Sequence, residues 1–270
     1  LDNGARQKFS YQFRYRVPNI KRSFTSLEVR FADTENLDVT SLKVQRDFVS
    51  PTIKYAGGIE WSQQTLRERT LENIESDLIF DEVFTIQKFD YQDVWLARAF
   101  PLRISDPTLR DRTRLILSGR VSNIDFLTRP DVAIDENQRF HNRFQTIGGL
   151  GFSQRRYFKD QLIFGYGRTE DIPYGMSIEA LAGYEWGEFY NRTYWGGRIG
   201  RGGYIGLLGY FFTGVTVEGF IYNKKTEQGV FRYDFRYISN LIDFNRWKFR
   251  QFITFNYTKG FNRFNKAFHS

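Results

Sequence analysis

The chain has 270 residues, no cysteine and a formal net charge of +8, and 18% of its residues are aromatic while 26% are charged. The lack of cysteine excludes disulfides, thiolate metal sites and a cysteine nucleophile, and no apolar run approaches the roughly 18 residues of a membrane-spanning helix. The fold must therefore place many rings and many charges in different surroundings.

The first predicted element is a strand from Lys8 to Val17, in which polar and apolar side chains alternate at every position. Because successive strand residues point to opposite faces of a sheet, this pattern gives one aromatic face and one charged face. The aromatic face consists of Phe9, Tyr11, Phe13, Tyr15 and Val17, and the opposite face includes Arg14 and Arg16.

Three more strands are predicted in the next 45 residues, at Phe24–Phe31, Val39–Phe48 and Ile53–Ser62. Each repeats the alternation, and the polar turn at 33–38 separates two of them. Strands this close together are joined as hairpins, because a parallel crossover needs a dozen or more connecting residues.

The same alternation returns along the remainder of the chain. Further strands are predicted at 84–102, 112–122, 140–153, 178–186, 205–212, 215–222, 231–237 and 247–257. The segment Gln63–Asp81 holds no sustained helical period and is interpreted as a long external loop, and Thr128–Gln138 as a second polar loop. In 161–175 a strand-like stretch leads into a turn, and glycine-rich 196–203 suits tight curvature or a flexible tip.

About twelve strands of eight to twelve residues result, a length that crosses a membrane when the strand is tilted. The sequence therefore predicts an all-β fold, an antiparallel up-and-down transmembrane β-barrel that forms a single domain over residues 1–270. A soluble sandwich would bury one face against a second sheet and would favour Val, Ile and Leu over this many aromatic residues.

Charged residues on the polar faces of these strands would point into the barrel lumen. Two interpretations are open: an ion-pair lattice that holds a plug loop, or the solvated polar interior that any such barrel has. The predicted lumen-facing residues are Arg14, Arg16, Arg30, Glu60, Arg120, Arg143, Glu179, Glu185, Arg232, Asp234, Arg236 and Arg250.

The residues give little support to catalysis, metal binding or nucleic-acid binding. The chain has two histidines, His141 and His269, and the nearest serine on the strand of His141, Ser153, is too distant in an extended chain for a hydrogen bond. Two histidines without cysteine make a poor metal site. A nucleic-acid stacking module would have its rings and its basic residues on one face, whereas here they alternate.

Four segments resemble the surface-antigen branch of the BamA/TamA superfamily. They are FVSPTIKYAGGI (48–59), YQDVWLARAF (91–100), GYGRTEDIPYG (165–175) and RQFITFNYTKGFNR (250–263). The resemblance spans most of the chain. It implies a sixteen-stranded barrel in the outer membrane of a Gram-negative-type envelope, with neither nucleotide nor metal as a cofactor.

The chain departs from this family in two ways. The family's Val/Ile-Arg-Gly-Phe/Tyr tetrapeptide does not occur in the sequence, and the last residues are Phe268-His269-Ser270 rather than a strand with a terminal aromatic residue. Both departures are expected if the sequence ends just before the loop that carries the tetrapeptide, with about four strands still to follow. A complete chain would instead form a closed barrel of about twelve strands.

The resemblance also implies a function. Family members insert outer-membrane proteins or move polypeptides across the membrane, and a weakly paired seam between the first and last strands is proposed to open laterally and template an incoming strand. The seam strand here would carry Phe9, Tyr11, Phe13 and Tyr15. The partners would be outer-membrane lipids, a polypeptide substrate and accessory envelope proteins; the alternative is a passive pore or structural barrel.

Overall fold

The computed structural model describes residues 9–49, 53–73, 80–102, 104, 109, 112–161 and 169–263. These residues form fourteen β-strands and three single-turn 3₁₀ helices, at Ile20–Arg22, Gln138–Phe140 and Gly206–Leu208. The strands are β1 (Tyr11–Val17), β2 (Thr25–Asp33), β3 (Leu37–Arg46), β4 (Tyr55–Asn73), β5 (Phe80–Pro101), β6 (Thr113–Thr128), β7 (Arg143–Gln161), β8 (Thr169–Gly187), β9 (Asn191–Ile205), β10 (Gly209–Tyr222), β11 (Lys225–Ile238), β12 (Ile242–Phe244), β13 (Trp247–Phe249) and β14 (Phe252–Phe261).

Twelve strands form one antiparallel sheet in which every strand pairs with its neighbours in sequence, in the order β1 to β11 and then β14. The prediction of an all-β, up-and-down antiparallel fold is therefore confirmed. In the described residues β1 and β14 are the two edges and do not pair with each other, so the sheet is open. Closure into a barrel and the count of sixteen strands stay predictions.

The predicted external loop at Gln63–Asp81 is wrong where the structure describes it. β4 continues to Asn73 and β5 starts at Phe80, and the two strands pair over their whole length. Pairing of β4 with β3 ends at Leu66, so the hairpin projects beyond its neighbour. The sequence of this segment lacks the apolar alternation that identifies a strand, so alternation alone did not predict this pairing.

The turn predicted at the end of 161–175 is also wrong. Strand β8 begins at Thr169, and its first residues pair with β7 alone, because pairing with β9 begins at Gly175. Pro173 therefore lies in a part of β8 that pairs with a strand on one side only, where a residue without a backbone N–H group is tolerated. Residues 162–168 of the strand-like stretch lie outside the described residues.

The glycine-rich segment 196–203 forms the middle of β9 rather than a tip. Its glycines make room for rings on β10: a Cβ atom on Gly202 would meet Tyr210 Oη at 2.9 Å, and one on Gly203 would meet a Phe211 ring carbon at 2.9 Å. Glycine is therefore used here for close approach of aromatic side chains to a strand backbone.

Two other predicted strands are interrupted. The apolar run at 205–212 contains the turn between β9 and β10, where Gly206 and Gly209 have φ values of 36° and 103°. A Cβ atom on Gly209 would lie 2.3 Å from the Ile238 carbonyl oxygen, so this turn requires glycine. The predicted strand at 247–257 divides into β13, which pairs with β12, and β14, which pairs with β11.

The connections lie alternately at two ends of the sheet. We call the end at which β1 finishes the upper end and the opposite end the lower end. The lower end has short turns at 34–36, 188–190 and 223–224 and one longer loop at 129–142. The turn at 223–224 joins β10 and β11 through two residues with positive φ, as right-twisted hairpins prefer.

Buried apolar side chains form small clusters rather than one core. Ile172, Tyr210 and Ile238 pack together at the upper end. At the lower end Phe140, 2% exposed, packs edge-on against Phe126 with 5.8 Å between ring centroids. Large apolar side chains in the middle of the sheet are exposed instead.

Many exposed apolar side chains of the strands lie on one face, which we call the aromatic face, although Tyr204, 46% exposed, lies on the opposite face. Cross-strand pairing aligns one residue from each of eight consecutive strands on this face, and every one of them is apolar or aromatic. This apolar row consists of Phe100, Leu115, Phe152, Ile178, Ile199, Val215, Tyr233 and Tyr257. A sheet with such a face needs an apolar environment against it.

Candidate functional site: the charged face of the sheet

The opposite face, which we call the charged face, carries the predicted lumen residues. The strand registers place eleven of these twelve residues on this face; the exception, Arg250, lies in the segment between β13 and β14. The eleven are Arg14, Arg16, Arg30, Glu60, Arg120, Arg143, Glu179, Glu185, Arg232, Asp234 and Arg236.

Direct cross-strand partners on the charged face form a continuous polar row. The row crosses nine consecutive strands, from β1 to β9, and every member is charged or polar. Its members are Arg16, Glu28, Lys43, Glu60, Asp93, Ser122, Gln145, Glu185 and Arg192. Six of them were not among the lumen residues predicted from the sequence: the charged Glu28, Lys43, Asp93 and Arg192, and the neutral Ser122 and Gln145.

Opposite charges meet along the polar row. Lys43 Nζ lies 2.8 Å from Glu60 Oε2, and Glu28 lies within 4 Å of both Arg14 and Arg16. These pairs are partly exposed, so water screens them and each stabilises the fold by less than about 1 kcal/mol. They pair Glu28 and Glu60 with cations, while Arg14, Arg16, Arg30 and Lys43 together outnumber these two carboxylates on this part of the face.

The next part of the row, around β5 and β6, contains a more buried carboxylate. Arg120 Nε donates to Asp93 Oδ1 at 2.6 Å, and Arg120 Nη2 donates to Tyr91 Oη at 3.0 Å. Asp93 is 6% exposed, and the guanidinium group compensates for the loss of water around its charge.

The most buried pair of the row is Arg192 with Glu185, each with less than a tenth of its side chain exposed. Arg192 Nε donates to Glu185 Oε1 at 2.7 Å, and Arg192 Nη1 donates to Gln228 Oε1 at 2.7 Å. The guanidinium carbon also lies 3.8 Å from the centroid of the Phe220 ring. This arrangement satisfies a buried charge with a carboxylate, an amide and a ring.

These groups line a shared cleft of about 390 Å³ on the charged face. Arg120 and Tyr91 lie on one side of the cleft, and Glu185 and Arg192 on the other. Arg143, which the sequence predicted as a lumen residue, lies between them. Most of the lining side chains are polar, and Ile124 and Phe220 are its apolar members.

The loop at 129–142 folds towards the charged face at the lower end of this cleft. Arg129 forms a two-pronged ion pair with Glu188 on the turn between β8 and β9, with N–O distances of 2.6 and 2.7 Å. Glu188 Oε2 also accepts from the Asn142 backbone N–H at 3.1 Å. The Arg129 guanidinium group lowers the pKa of the Glu188 carboxyl to about 2, and Glu188 raises the pKa of Arg129.

His141 belongs to this loop and has a structural environment. Its Nε2 atom lies 2.9 Å from the Ala133 carbonyl oxygen, and its ring packs 4.6 Å from the Phe189 ring. Ser153 lies in the middle of β7, twelve residues beyond His141 in an extended chain, so the structure does not bring these two residues together. His269 lies outside the described residues.

The predicted seam residues lie at one edge of the sheet. Tyr11, Phe13 and Tyr15 are in β1, which pairs with β2 alone, and each is more than half exposed; Phe9 precedes the strand and is 82% exposed. Phe13 lies directly opposite Phe31, and their ring centroids are 6.5 Å apart.

Some functional classes find no support in the described ranges. These residues contain no group of three or more His, Asp and Glu side chains placed to hold a metal ion. They also contain no helix that is long and apolar enough to cross a membrane.

Comparisons with known proteins found no relative. No family model matches the chain, and neither the curated proteins nor the solved structures include a significant match.

Proposed function

We propose that this chain is a β-barrel of the outer membrane of a Gram-negative-type cell, and that it inserts outer-membrane proteins or moves polypeptides across that membrane. The observation that carries the membrane assignment is the contrast between the two rows: eight apolar partners on one face and nine polar partners on the other. The aromatic face would contact lipid, and the charged face would line a water-filled lumen.

The height of the aromatic face supports this proposal. On β8 the residues of this face are apolar from Met176 to Trp186. Ten steps of about 3.3 Å give roughly 33 Å along the strand, or roughly 25 Å of height at a tilt of about 40°. This height equals the apolar band of outer-membrane barrels.

The membrane assignment can be tested with single cysteines, because the chain has none of its own. Val121 and Ser122 are neighbours on β6, on the aromatic face and the charged face respectively. In bilayers a water-soluble maleimide should label S122C and leave V121C unlabelled, while in urea it should label both. Equal labelling of the two in bilayers would contradict the proposal.

The polypeptide-insertion part of the proposal rests on the family resemblance and on the position of β1. An edge strand offers unpaired N–H and C=O groups to an incoming strand, and β1 is short and exposed. We propose that β1 is one side of a seam that opens laterally, with outer-membrane lipids, a polypeptide substrate and accessory envelope proteins as partners.

Disulfide crosslinking tests the seam. A disulfide between F13C and a cysteine in the final strand of the full-length barrel should block insertion of an unfolded outer-membrane protein into liposomes, and reduction should restore it. The matched control is F13C with F31C, which lie opposite each other in β1 and β2 and should crosslink without blocking insertion. Full activity after complete seam crosslinking would eliminate lateral opening.

The polar row favours a second candidate function, a passive pore, because it extends a hydrated surface across nine strands. A passive pore conducts ions steadily in a planar bilayer and does not accelerate insertion of other proteins. Steady conductance without insertion activity would favour this alternative.

A further inference from the structure

The upper part of the charged face contains three arginines that form no ion pair among the described residues: Arg155, Arg198 and Arg236. All three are exposed. They line a pocket of about 480 Å³, which we call the arginine pocket, and its lining among the described side chains includes no carboxylate. Glu179 lies opposite Arg198, and Asp234 is two residues from Arg236 on the same face, but neither carboxylate forms an ion pair with these arginines among the described residues. The described lining of the pocket is therefore positively charged.

Glycines open the floor of the arginine pocket. Arg155, Gly175, Gly202, Phe212 and Arg236 are successive cross-strand partners from β7 to β11. Four strand steps of about 4.8 Å separate Arg155 from Arg236 by roughly 19 Å along the sheet. The two glycines contribute no side chain of β8 or β9 to the floor, and the Tyr210 and Phe212 rings of β10 lie over Gly202.

Aromatic rings and hydroxyl groups complete the walls. The Phe212 ring lies over Gly200 and Gly202, 3.6 Å from the position of a Cβ atom on either. Tyr174, Tyr210 and Ser177 add hydroxyl groups to the lining. The pocket therefore offers planar rings for a saccharide-like ring, hydroxyl partners for its alcohol groups, and guanidinium groups on opposite sides.

We propose that the arginine pocket binds a polyhydroxylated ring that carries two or more phosphate groups. A single carboxylate needs one guanidinium partner, whereas three separated guanidinium groups match several phosphates, with two-pronged contacts to each. The volume lies within the range of small-ligand sites. The proposal goes beyond the membrane function and requires only that the charged face be hydrated.

The test is titration calorimetry on the full chain in detergent, with inositol 1,4,5-trisphosphate as probe. Binding is expected, and R198Q and R236Q should each weaken it by about tenfold or more, the effect of losing a charge-assisted hydrogen bond. The matched control is R232Q, because Arg232 lies four residues from Arg236 on the same face of β11, with Asp234 between them, but does not line the pocket. It should change affinity less than about twofold.

Further arms distinguish a soluble ligand from a lipid headgroup and check the fold. If the pocket contacts only the phosphorylated ring, micelles of phosphatidylinositol 4,5-bisphosphate should bind no better than the free headgroup. The ring without phosphate groups, myo-inositol, should not bind. R198K and R236K keep the charge and the fold, and should weaken binding by a smaller factor because an ammonium group cannot make the two-pronged contact. Absence of trisphosphate binding, binding of the lipid alone, or equal losses in R232Q and R236Q would each overturn the proposal.

Discussion

At the scale of single residues, burial separates two kinds of ion pair on the charged face. Arg192 and Glu185 are both buried, whereas Arg14 is more than half exposed beside Glu28. A buried charge that loses its partner cannot regain water, while an exposed one can. The same chemical pair therefore has different consequences for stability at the two positions.

This difference gives the first stability prediction. E185A should lower the free energy of unfolding by about 3–5 kcal/mol, because it leaves the Arg192 guanidinium group buried without a carboxylate. E28A, the matched exposed control, should lower it by less than about 1 kcal/mol. Urea unfolding in detergent, followed by tryptophan fluorescence, measures both, and equal losses would contradict the role assigned to burial.

Sequence alternation predicts which face a residue lies on but not which residue it meets. The faces of Arg120 and Glu185 follow from the strand period, since that is a local property. The contact of Arg120 with Asp93, and that of Arg192 with Gln228, depend on the register between strands. Register is set by pairing across long sequence separations, and one sequence alone does not specify it.

At the scale of elements, the loop at 129–142 is held to the turn between β8 and β9 by one carboxylate. Glu188 accepts from the Arg129 guanidinium group and from the Asn142 backbone. The pKa of Glu188 falls from 4.5 to about 2 in the folded protein, mainly because of the hydrogen bond from Arg129. The ionised carboxylate thus favours the attached state of the loop.

The loop attachment should accordingly depend on pH in the acid range. Because the pKa of Glu188 is lowered by folding, its contribution is complete above pH 4.5 and is lost as the pH falls towards about 2. Two amides report on the attachment: the Asn142 N–H donates to Glu188, and the Phe126 N–H donates to Asn142 Oδ1 at 2.7 Å. Their hydrogen exchange, corrected for the intrinsic rate, should accelerate over that interval.

Two variants check the origin of that pH dependence. E188Q should exchange rapidly at these amides at every pH, since a neutral amide cannot replace the ion pair with Arg129. E136Q changes a carboxylate at an exposed position of the same loop and should retain the wild-type profile. A pH profile that persists in E188Q would assign the effect to another group.

The strands themselves were predictable to different degrees. β1, β2 and β11 alternate without interruption, because each has one face towards each environment. The projecting part of the β4–β5 hairpin and the glycine-rich part of β9 lack this pattern. The glycines of β9 leave room for the rings of Tyr210 and Phe211 on β10. Sequence alternation does not identify a strand where contacts with a neighbouring strand determine its residue types.

At the scale of the whole molecule, the two open edges limit what the membrane form can be. β1 and β14 each pair on one side only in the described residues. In hydrocarbon an unpaired N–H or C=O group costs several kcal/mol, so exposed sheet edges do not occur there. If the chain spans a membrane, each edge must pair with the other or with additional strands.

A disulfide scan across the edges decides between these closures. The proposed sixteen-stranded barrel places further strands between β1 and β14, and F13C with F255C should then fail to crosslink in the full-length protein in bilayers. F13C with F31C should crosslink under the same conditions, since these positions are direct partners. An efficient F13C–F255C disulfide would instead show a closed barrel of twelve strands. It would also argue against a seam between β1 and additional strands, because β1 would then pair with β14.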